Sequence, residues 1–129
     1  MGKTEATLRL AEHFSVPVIN ADSRQIFAEI PIGTAAPTAA QQARVRHYFV
    51  GNHHLEDYYS ASLFEEDVLK IINEASSKVS LLSGGSMMYV DALCHGIDEM
   101  PDVRDEVRQA VWRRYEEEGL EGILGELKI

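Results

Sequence analysis

Short apolar runs alternate along the chain with stretches of helical periodicity, and a polar or glycine-containing turn follows each run. The apolar runs cover residues 17–20, 47–50 and 79–83. Apolar residues recur at helical spacing over 2–14, 61–76 and 87–95. This alternation predicts an α/β fold, in which a mostly parallel sheet is covered by helices on both faces.

Composition limits the class of protein. The 129 residues are 45% hydrophobic, which is enough for one sizeable core. With 12 basic and 21 acidic side chains the net charge is −9, which argues against a polybasic binder of nucleic acid or membrane surfaces. A single cysteine, Cys94, forms no internal disulfide, and the sequence lacks an apolar run long enough for a membrane span. We therefore expect a cytoplasmic protein without a membrane segment.

Net charge and the predicted secondary structure both change near residue 98. Residues 97–129 carry ten acidic and five basic side chains, whereas residues 1–60 carry six and five. An anionic ligand is therefore expected in the amino-terminal part. Beyond residue 98 the pattern indicates only helices, over 102–118 and 119–128, with Gly119 at their junction.

The tripeptide Gly-Lys-Thr at 2–4 opens the first helical stretch. It matches the end of a phosphate-binding loop, in which backbone N–H groups and a lysine hold phosphate oxygens and the hydroxyl coordinates Mg²⁺. An ordinary helix start is the alternative. A parallel α/β sheet usually opens with a buried strand, so the first strand is expected to be missing from this sequence.

Two polar turns follow the first and third apolar runs. The first turn, residues 22–25, reads Asp-Ser-Arg-Gln, and its carboxylate is suited to act as a base or metal ligand. The second, residues 84–86, reads Gly-Gly-Ser and opens a helix. Ligands of open α/β sheets bind at the carboxyl ends of strands, which favours a site here. A helix cap at Asp22 or Ser23, and a purely structural turn at residues 84–86, remain the alternatives.

Other polar and apolar residues are expected to be structural. His53, His54 and Asp57 are poorly spaced for zinc. Met87, Met88 and Cys94 are expected to fill the core, and Trp112 is expected to pack within it or between helices. The third run ends in Ser83, where a motor-type ATPase would carry an acidic Mg²⁺ ligand, and this argues against simple nucleotide hydrolysis.

Together these motifs resemble the tRNA dimethylallyltransferases, also called tRNA isopentenyltransferases. The resemblance covers essentially the whole chain. It rests on residues 2–4, 20–25, 32–35 with Pro37, 59–61, 82–86 with Tyr89, and 105–108. The family implies a P-loop NTPase-like α/β core with an inserted helical domain. Residues 1–97 would be a partial core without its first strand, and 98–129 the beginning of the insertion.

The resemblance also implies an activity. Members of the family transfer a dimethylallyl group from dimethylallyl diphosphate to the N6 amine of the adenosine on the 3′ side of the anticodon. Gly2, Lys3 and Thr4 would bind the diphosphate, with Lys3 assisting catalysis and Thr4 near Mg²⁺. Asp22 would be the general base. Ser86 matches a threonine that hydrogen-bonds the bridging oxygen of the leaving diphosphate.

The resemblance places the tRNA anticodon stem-loop on several of these residues. The implied RNA contacts are Asp22, Ser23, Arg24, Gln25, Ser86 and Arg108. Ala36 departs from the family by replacing a lysine. We expect a monomer, and we expect the 129 residues alone to be nearly inactive. The alternatives are a P-loop kinase for nucleotides or small molecules, and an inactive binding fragment.

Overall fold

A computed structural model of the chain describes residues 2–98, 101 and 103–127. The chain divides into two compact units, Met1–Ile97 and Asp98–Ile129. The first contains a sheet and the second is helical. The identities that the sequence suggests for these units, a partial catalytic core and the beginning of an insertion domain, stay predictions.

The first unit alternates helices and strands as predicted. Its elements are α1 (Lys3–Phe14), β1 (Val18–Asn20), α2 (Ala39–Arg44), β2 (His47–Tyr48), α3 (Ala61–Glu74), β3 (Leu81–Ser83) and α4 (Met87–His95). The strands form a parallel sheet in the order β2-β1-β3. In the register, Val18 pairs with His47 on one side and with Leu81 on the other. The predicted parallel α/β fold is confirmed.

Helices cover both faces of this sheet. Successive side chains of β1 point to opposite faces, and each face packs against helices. Val18 belongs to a buried cluster with Leu8 and Ala11 of α1. Its neighbour Ile19 belongs to the larger cluster on the other face. That cluster includes Phe64 and Val68 of α3 and Tyr89 and Ala92 of α4.

Local signals set the element ends, with some differences from the predicted ones. Ser60 begins α3, because its Oγ accepts a hydrogen bond from the Leu63 N–H (3.3 Å). Thr38 begins α2 with a capping box. The strand predicted over 47–50 ends at Tyr48, because Phe49 adopts a left-handed backbone conformation (φ 61°) while its ring stays buried.

The prediction that Met87, Met88 and Cys94 fill the core is wrong. Met87 and Met88 are 66% and 72% exposed, and Cys94 is exposed. Helix α4 instead buries Tyr89 and Ala92, which are three residues apart and share one face. The two methionines therefore present apolar surface beside the turn that precedes α4.

The second unit is α5 (Asp105–Leu127), which Gly119 interrupts with a left-handed backbone conformation (φ 70°). The predicted junction of two helices therefore falls at this glycine. Arg114 forms ion pairs with Glu118 and with Glu126 beyond the break. Trp112 was expected in a core or between helices, but its side chain is 63% exposed and donates to Glu116 (3.2 Å). Within the described ranges, none of the helices has the length and apolar character to cross a membrane.

Candidate active site

The two polar turns predicted from the sequence lie against each other at the carboxyl ends of β1 and β3. The Ala21 N–H donates to the Ser83 carbonyl (2.8 Å), and the Ser86 N–H donates to the Ala21 carbonyl (3.0 Å). A Cβ on Gly84 would lie 2.0 Å from the Ala21 carbonyl oxygen, so only glycine allows this approach. The sheet therefore joins two segments that are about sixty residues apart in sequence.

Asp22 occupies the turn after β1 and is partly exposed. Its Oδ1 accepts hydrogen bonds from the backbone N–H groups of Arg24 (3.0 Å) and Gln25 (3.3 Å). This geometry is an Asx turn, and the carboxylate does not cap a helix. Both N–H groups bond Oδ1, so the second carboxylate oxygen, Oδ2, is available to accept a hydrogen bond or a proton. Oδ2 lies 3.9 Å from the position that a Cβ on Gly85 would take.

Hydrogen bonds between two serines connect the turns. The Ser23 N–H donates to Ser86 Oγ (2.8 Å), and the Ser86 hydroxyl donates to Ser23 Oγ (3.0 Å). Ser86 is the N-cap residue of α4, but its side chain makes no capping bond to that helix. Its hydroxyl instead holds the segment that contains Asp22.

Tyr89 lies in the first turn of α4, directly after the turn that contains Ser86. Its ring is 7% exposed and stacks on Phe64 with the ring centroids 4.5 Å apart. Burial, and then the negative charge of Asp22, raise the pKa of the Tyr89 phenol. The phenol therefore stays protonated near neutral pH.

The amino terminus of α1 lies at the same edge of the sheet. Gly2 has a positive φ (118°), which a glycine adopts without strain. Thr7 and Ser83 join α1 to β3 through their hydroxyls, whose oxygens are 2.9 Å apart. A cavity of about 40 Å³ opens between these elements. Its lining includes Lys3, Thr4, Thr7, Asn20, Gln25 and Ser83.

The Gln25 side chain forms hydrogen bonds with the loop over residues 30–36, at the edge of this cavity. Its Nε2 donates to the carbonyls of Thr34 (3.0 Å) and Ala35 (3.4 Å). Ala35 has a left-handed backbone conformation (φ 52°). The Gln25 carbonyl also accepts from the Gly51 N–H (2.9 Å). The Gln25 side chain therefore orders the loop over residues 30–36, whatever else it contacts.

The two adjacent histidines lie in the segment after β2 and have different surroundings. His54 Nδ1 is 2.6 Å from Glu29 Oε1, and this contact raises the pKa of His54 and lowers that of Glu29. At pH values between the Glu29 pKa and the His54 pKa, both side chains are charged and form an ion pair. The ion pair weakens as pH rises through the His54 pKa or falls through the Glu29 pKa. The His53 and Tyr59 rings contact each other with their centroids 4.3 Å apart and their planes inclined by 52°. Residues 2–98, 101 and 103–127 contain no cluster of three or more His, Cys, Asp or Glu side chains fit to hold a metal.

The structure thus brings together most of the site residues that the sequence suggested. Lys3, Thr4 and Gln25 line one cavity, while Asp22, Ser23 and Ser86 form the adjoining turns. Arg24 is exposed in the first turn. Arg108 lies on α5 in the second unit.

Sequence reasoning missed Thr7 at this edge, and it named Tyr89 only as part of a motif, without a role in the site. Thr7 lies four residues after Lys3, which places it on the same face of α1. Tyr89 lies three residues after Ser86, about one helical turn along α4. Helical spacing from the residues already identified could have found both.

Comparison with known proteins identifies the family of this chain. The family model described as IPP transferase matches residues 25–129. The tRNA dimethylallyltransferase 2 of Porphyromonas gingivalis is 54% identical over 131 residues, an alignment that covers 100% of this chain and 44% of that protein. The protein of the same name from Parabacteroides distasonis is 53% identical over 130 residues and is covered to 44%. The chain therefore spans less than half the length of these relatives.

Solved structures show the same fold. A tRNA isopentenylpyrophosphate transferase from Bacillus halodurans superposes with a TM-score of 0.70 and 26% identity, over 98% of this chain and 43% of that one. The tRNA delta(2)-isopentenylpyrophosphate transferase of Staphylococcus epidermidis gives 0.68 and 25%, over 90% of this chain and 38% of that one. The resemblance seen in the sequence motifs is confirmed. The family model, the relatives and the shared fold agree that the chain belongs to the IPP transferase family.

Proposed function

We propose that this protein transfers a dimethylallyl group from dimethylallyl diphosphate to the N6 amine of the adenosine on the 3′ side of the anticodon in tRNA. One observation carries the proposal: the Asp22 carboxylate is fixed at the same sheet edge as the amino terminus of α1. A base and an anion-binding helix terminus at one sheet edge suit the transfer of an alkyl group from a diphosphate. The names of the relatives supply the substrates.

The diphosphate would bind at the start of α1. Residues 2–4 offer backbone N–H groups, the positive end of the helix dipole and the Lys3 ammonium. These groups stabilise the charge that develops on the leaving group, so they lower the barrier as well as holding the substrate. The left-handed conformation of Gly2 supports this reading, because phosphate-binding loops need such backbone turns.

Mg²⁺ fits this site as a partner of the diphosphate. The ion binds through substrate phosphates, water and few protein oxygens, so the Thr4 hydroxyl that lines the cavity is a sufficient protein ligand. When bound, the ion neutralises charge on the diphosphate. Thr4 is exposed in the first turn of α1, within reach of a ligand held by residues 2–4.

The reaction exchanges one bond for another. The N6 amine of adenosine attacks the allylic carbon and forms a C–N bond, while the C–O bond breaks and its electron pair leaves with the diphosphate. The amine loses a proton as it attacks, and Asp22 takes it through Oδ2, the oxygen that its Asx turn leaves available. General base catalysis of this kind contributes about 10²–10⁴-fold to a rate.

RNA contacts complete the proposal. The segment 22–25 and Ser86 would face the anticodon stem-loop, and Arg24 is exposed for a phosphate contact. The amine must leave the base stack to reach Asp22, which costs about a few kcal/mol. That Arg108 contacts tRNA, and that the protein acts in the cytoplasm as a monomer, stay predictions from the sequence.

Phosphorus NMR distinguishes this activity from the kinase alternative, which the names of the relatives do not support. The protein expressed from its complete native gene is incubated with Mg²⁺, dimethylallyl diphosphate and an anticodon stem-loop, or with ATP in place of dimethylallyl diphosphate. We expect inorganic pyrophosphate to accumulate only when dimethylallyl diphosphate and RNA are both present. Conversion of ATP to ADP, with dimethylallyl diphosphate left intact, would contradict the proposal.

A further inference from the structure

Asn20 is a buried polar residue at the end of β1, and one of its two polar atoms has no partner among the described residues. The residue is 7% exposed. Its Nδ2 donates to the Phe49 carbonyl (3.1 Å), and because a carbonyl only accepts, this bond fixes which end of the amide is the oxygen. Burying an acceptor without a partner costs free energy, so Oδ1 needs a donor that this part of the chain does not supply.

The Asn20 oxygen faces the cavity at the amino terminus of α1. Val18 packs against α1, and Asn20, two residues further along β1, lies on the same face of the sheet. Asn20 lines the cavity together with Lys3 and Thr4. Within the described ranges, His53 Nδ1 is the only enclosed side-chain nitrogen or oxygen that lacks a hydrogen bond, so Asn20 Oδ1 is open to the cavity.

The chemistry of this oxygen limits what can contact it. A diphosphate oxygen is not a partner, because both atoms are acceptors. The cavity of about 40 Å³ has room for water, since a water molecule needs about 10–15 Å³. Mg²⁺ keeps several of its waters in protein sites, and Thr4, the proposed protein ligand of the ion, lines the same cavity. Such a water binds the ion through its oxygen and has its protons free to donate.

We infer that Asn20 is a positioning residue, whose Oδ1 accepts a hydrogen bond from a water of the Mg²⁺ hydration shell and so helps to hold the ion beside the diphosphate. The inference rests on the proposed function, because Mg²⁺ and the diphosphate belong to that reaction. None of the described residues that line the cavity is acidic, so neutral oxygens must hold the ion there. Hydrogen bonds to the groups around a metal ion contribute about 10- to 100-fold to its affinity.

The Lys3 ammonium is the other donor that could meet Asn20 Oδ1. Lys3 is the only lysine or arginine among the described residues of the cavity lining. The amide of Gln25 is already used, because its Nε2 donates to two carbonyls of the loop over residues 30–36. A contact with Lys3 would act on the diphosphate directly, whereas a contact with hydration water acts only when Mg²⁺ is bound. Measurements with and without the ion therefore separate the two.

Two variants of the protein expressed from its complete native gene test the inference: Asn20→Leu and Asn20→Asp. Leucine has the branched shape of asparagine without its polar atoms, and aspartate keeps an oxygen acceptor. Asn73→Leu makes the same change at an exposed position of α3. Val68→Ala removes core packing outside the site, so it controls for lost stability. Calorimetry measures the binding of inorganic pyrophosphate as Mg²⁺ is varied and again in EDTA.

We expect Asn20→Leu to raise the Mg²⁺ concentration required for half-maximal pyrophosphate binding about 10- to 100-fold. Its pyrophosphate affinity in EDTA should equal that of the unmodified protein, because the lost bond acts only through the ion. Asn20→Asp should need no more Mg²⁺ than the unmodified protein, even though loss of the amide bond to Phe49 lowers its melting temperature. Asn73→Leu and Val68→Ala should keep the normal Mg²⁺ requirement.

Three other results would overturn the inference. An equal loss of pyrophosphate affinity in Mg²⁺ and in EDTA would assign Asn20 Oδ1 to the Lys3 ammonium. A normal Mg²⁺ requirement in Asn20→Leu would leave Asn20 only its structural bond to Phe49. An equally raised requirement in Val68→Ala would trace the effect to lost stability. Failure of the proposed function is distinguishable, because absence of transfer by the unmodified protein leaves these binding measurements intact.

Discussion

Replacement of Asp22 by asparagine should reduce dimethylallyl transfer about 10²–10⁴-fold, the range of a lost general base. Asparagine keeps an Oδ1 that accepts from the N–H groups of Arg24 and Gln25, so the Asx turn should survive. What it loses is the negative charge and the basic oxygen that would take the N6 proton. The loss should therefore appear in kcat, measured at saturating dimethylallyl diphosphate and RNA, with melting temperature and pyrophosphate affinity close to those of the unmodified protein.

Asp57→Asn is the matched control for this variant. Asp57 Oδ2 accepts a hydrogen bond from the His54 backbone N–H (2.7 Å). This variant therefore makes the same chemical change in a second turn that is stabilised by a carboxylate. Asp57 is exposed and lies outside the site. Its variant should transfer at the normal rate. Equal activities of Asp22→Asn and the unmodified protein would show that Asp22 is not the base.

Gly84→Ala should destabilise the protein by about 1–3 kcal/mol or more, the cost of forcing an atom into a closely packed position. The added Cβ would lie 2.0 Å from the Ala21 carbonyl oxygen and 2.2 Å from its carbon, so backbone must move to admit it. Ala21 directly precedes Asp22, and displacing a reactive group by about 1 Å can cost about 10²-fold in rate. Thermal unfolding and the transfer rate measure the two effects.

The neighbouring Gly85 provides the control for Gly84. A Cβ on Gly85 would have its nearest contact at 3.9 Å, with Asp22 Oδ2, which is an ordinary van der Waals distance. Gly85→Ala should therefore leave the melting temperature nearly unchanged. If both alanine variants unfolded at the same temperature as the unmodified protein, the close approach of the two turns would be wrong.

Sequence patterns were sufficient to predict that the two polar turns lie side by side. Residues 22–25 and 84–86 follow apolar runs, and parallel strands bring their carboxyl ends to one edge, so the turns had to be neighbours. The amphipathic face of α3, with buried Phe64 and Val68, followed in the same way from helical spacing. Backbone geometry fixes these relations, and local sequence is enough to predict them.

Side-chain pairing across the fold was beyond such patterns. The bond between Ser23 and Ser86 joins residues 63 positions apart, and either residue alone is typical of a helix cap or turn. The exposure of Met87 and Met88 depends on which face of α4 meets α3, and this face is set by Tyr89 and its stack on Phe64. Long-range packing decides such details, so composition and spacing did not predict them.

The central claim is most directly tested by identifying the nucleoside that the protein makes. Protein from the complete native gene is incubated with Mg²⁺, dimethylallyl diphosphate and an anticodon stem-loop, which is then digested to nucleosides and analysed by mass spectrometry. The account predicts N6-dimethylallyladenosine at the position 3′ of the anticodon, and none when guanosine replaces that adenosine. An unmodified stem-loop under these conditions, or a dimethylallyl group on any other atom, would contradict it.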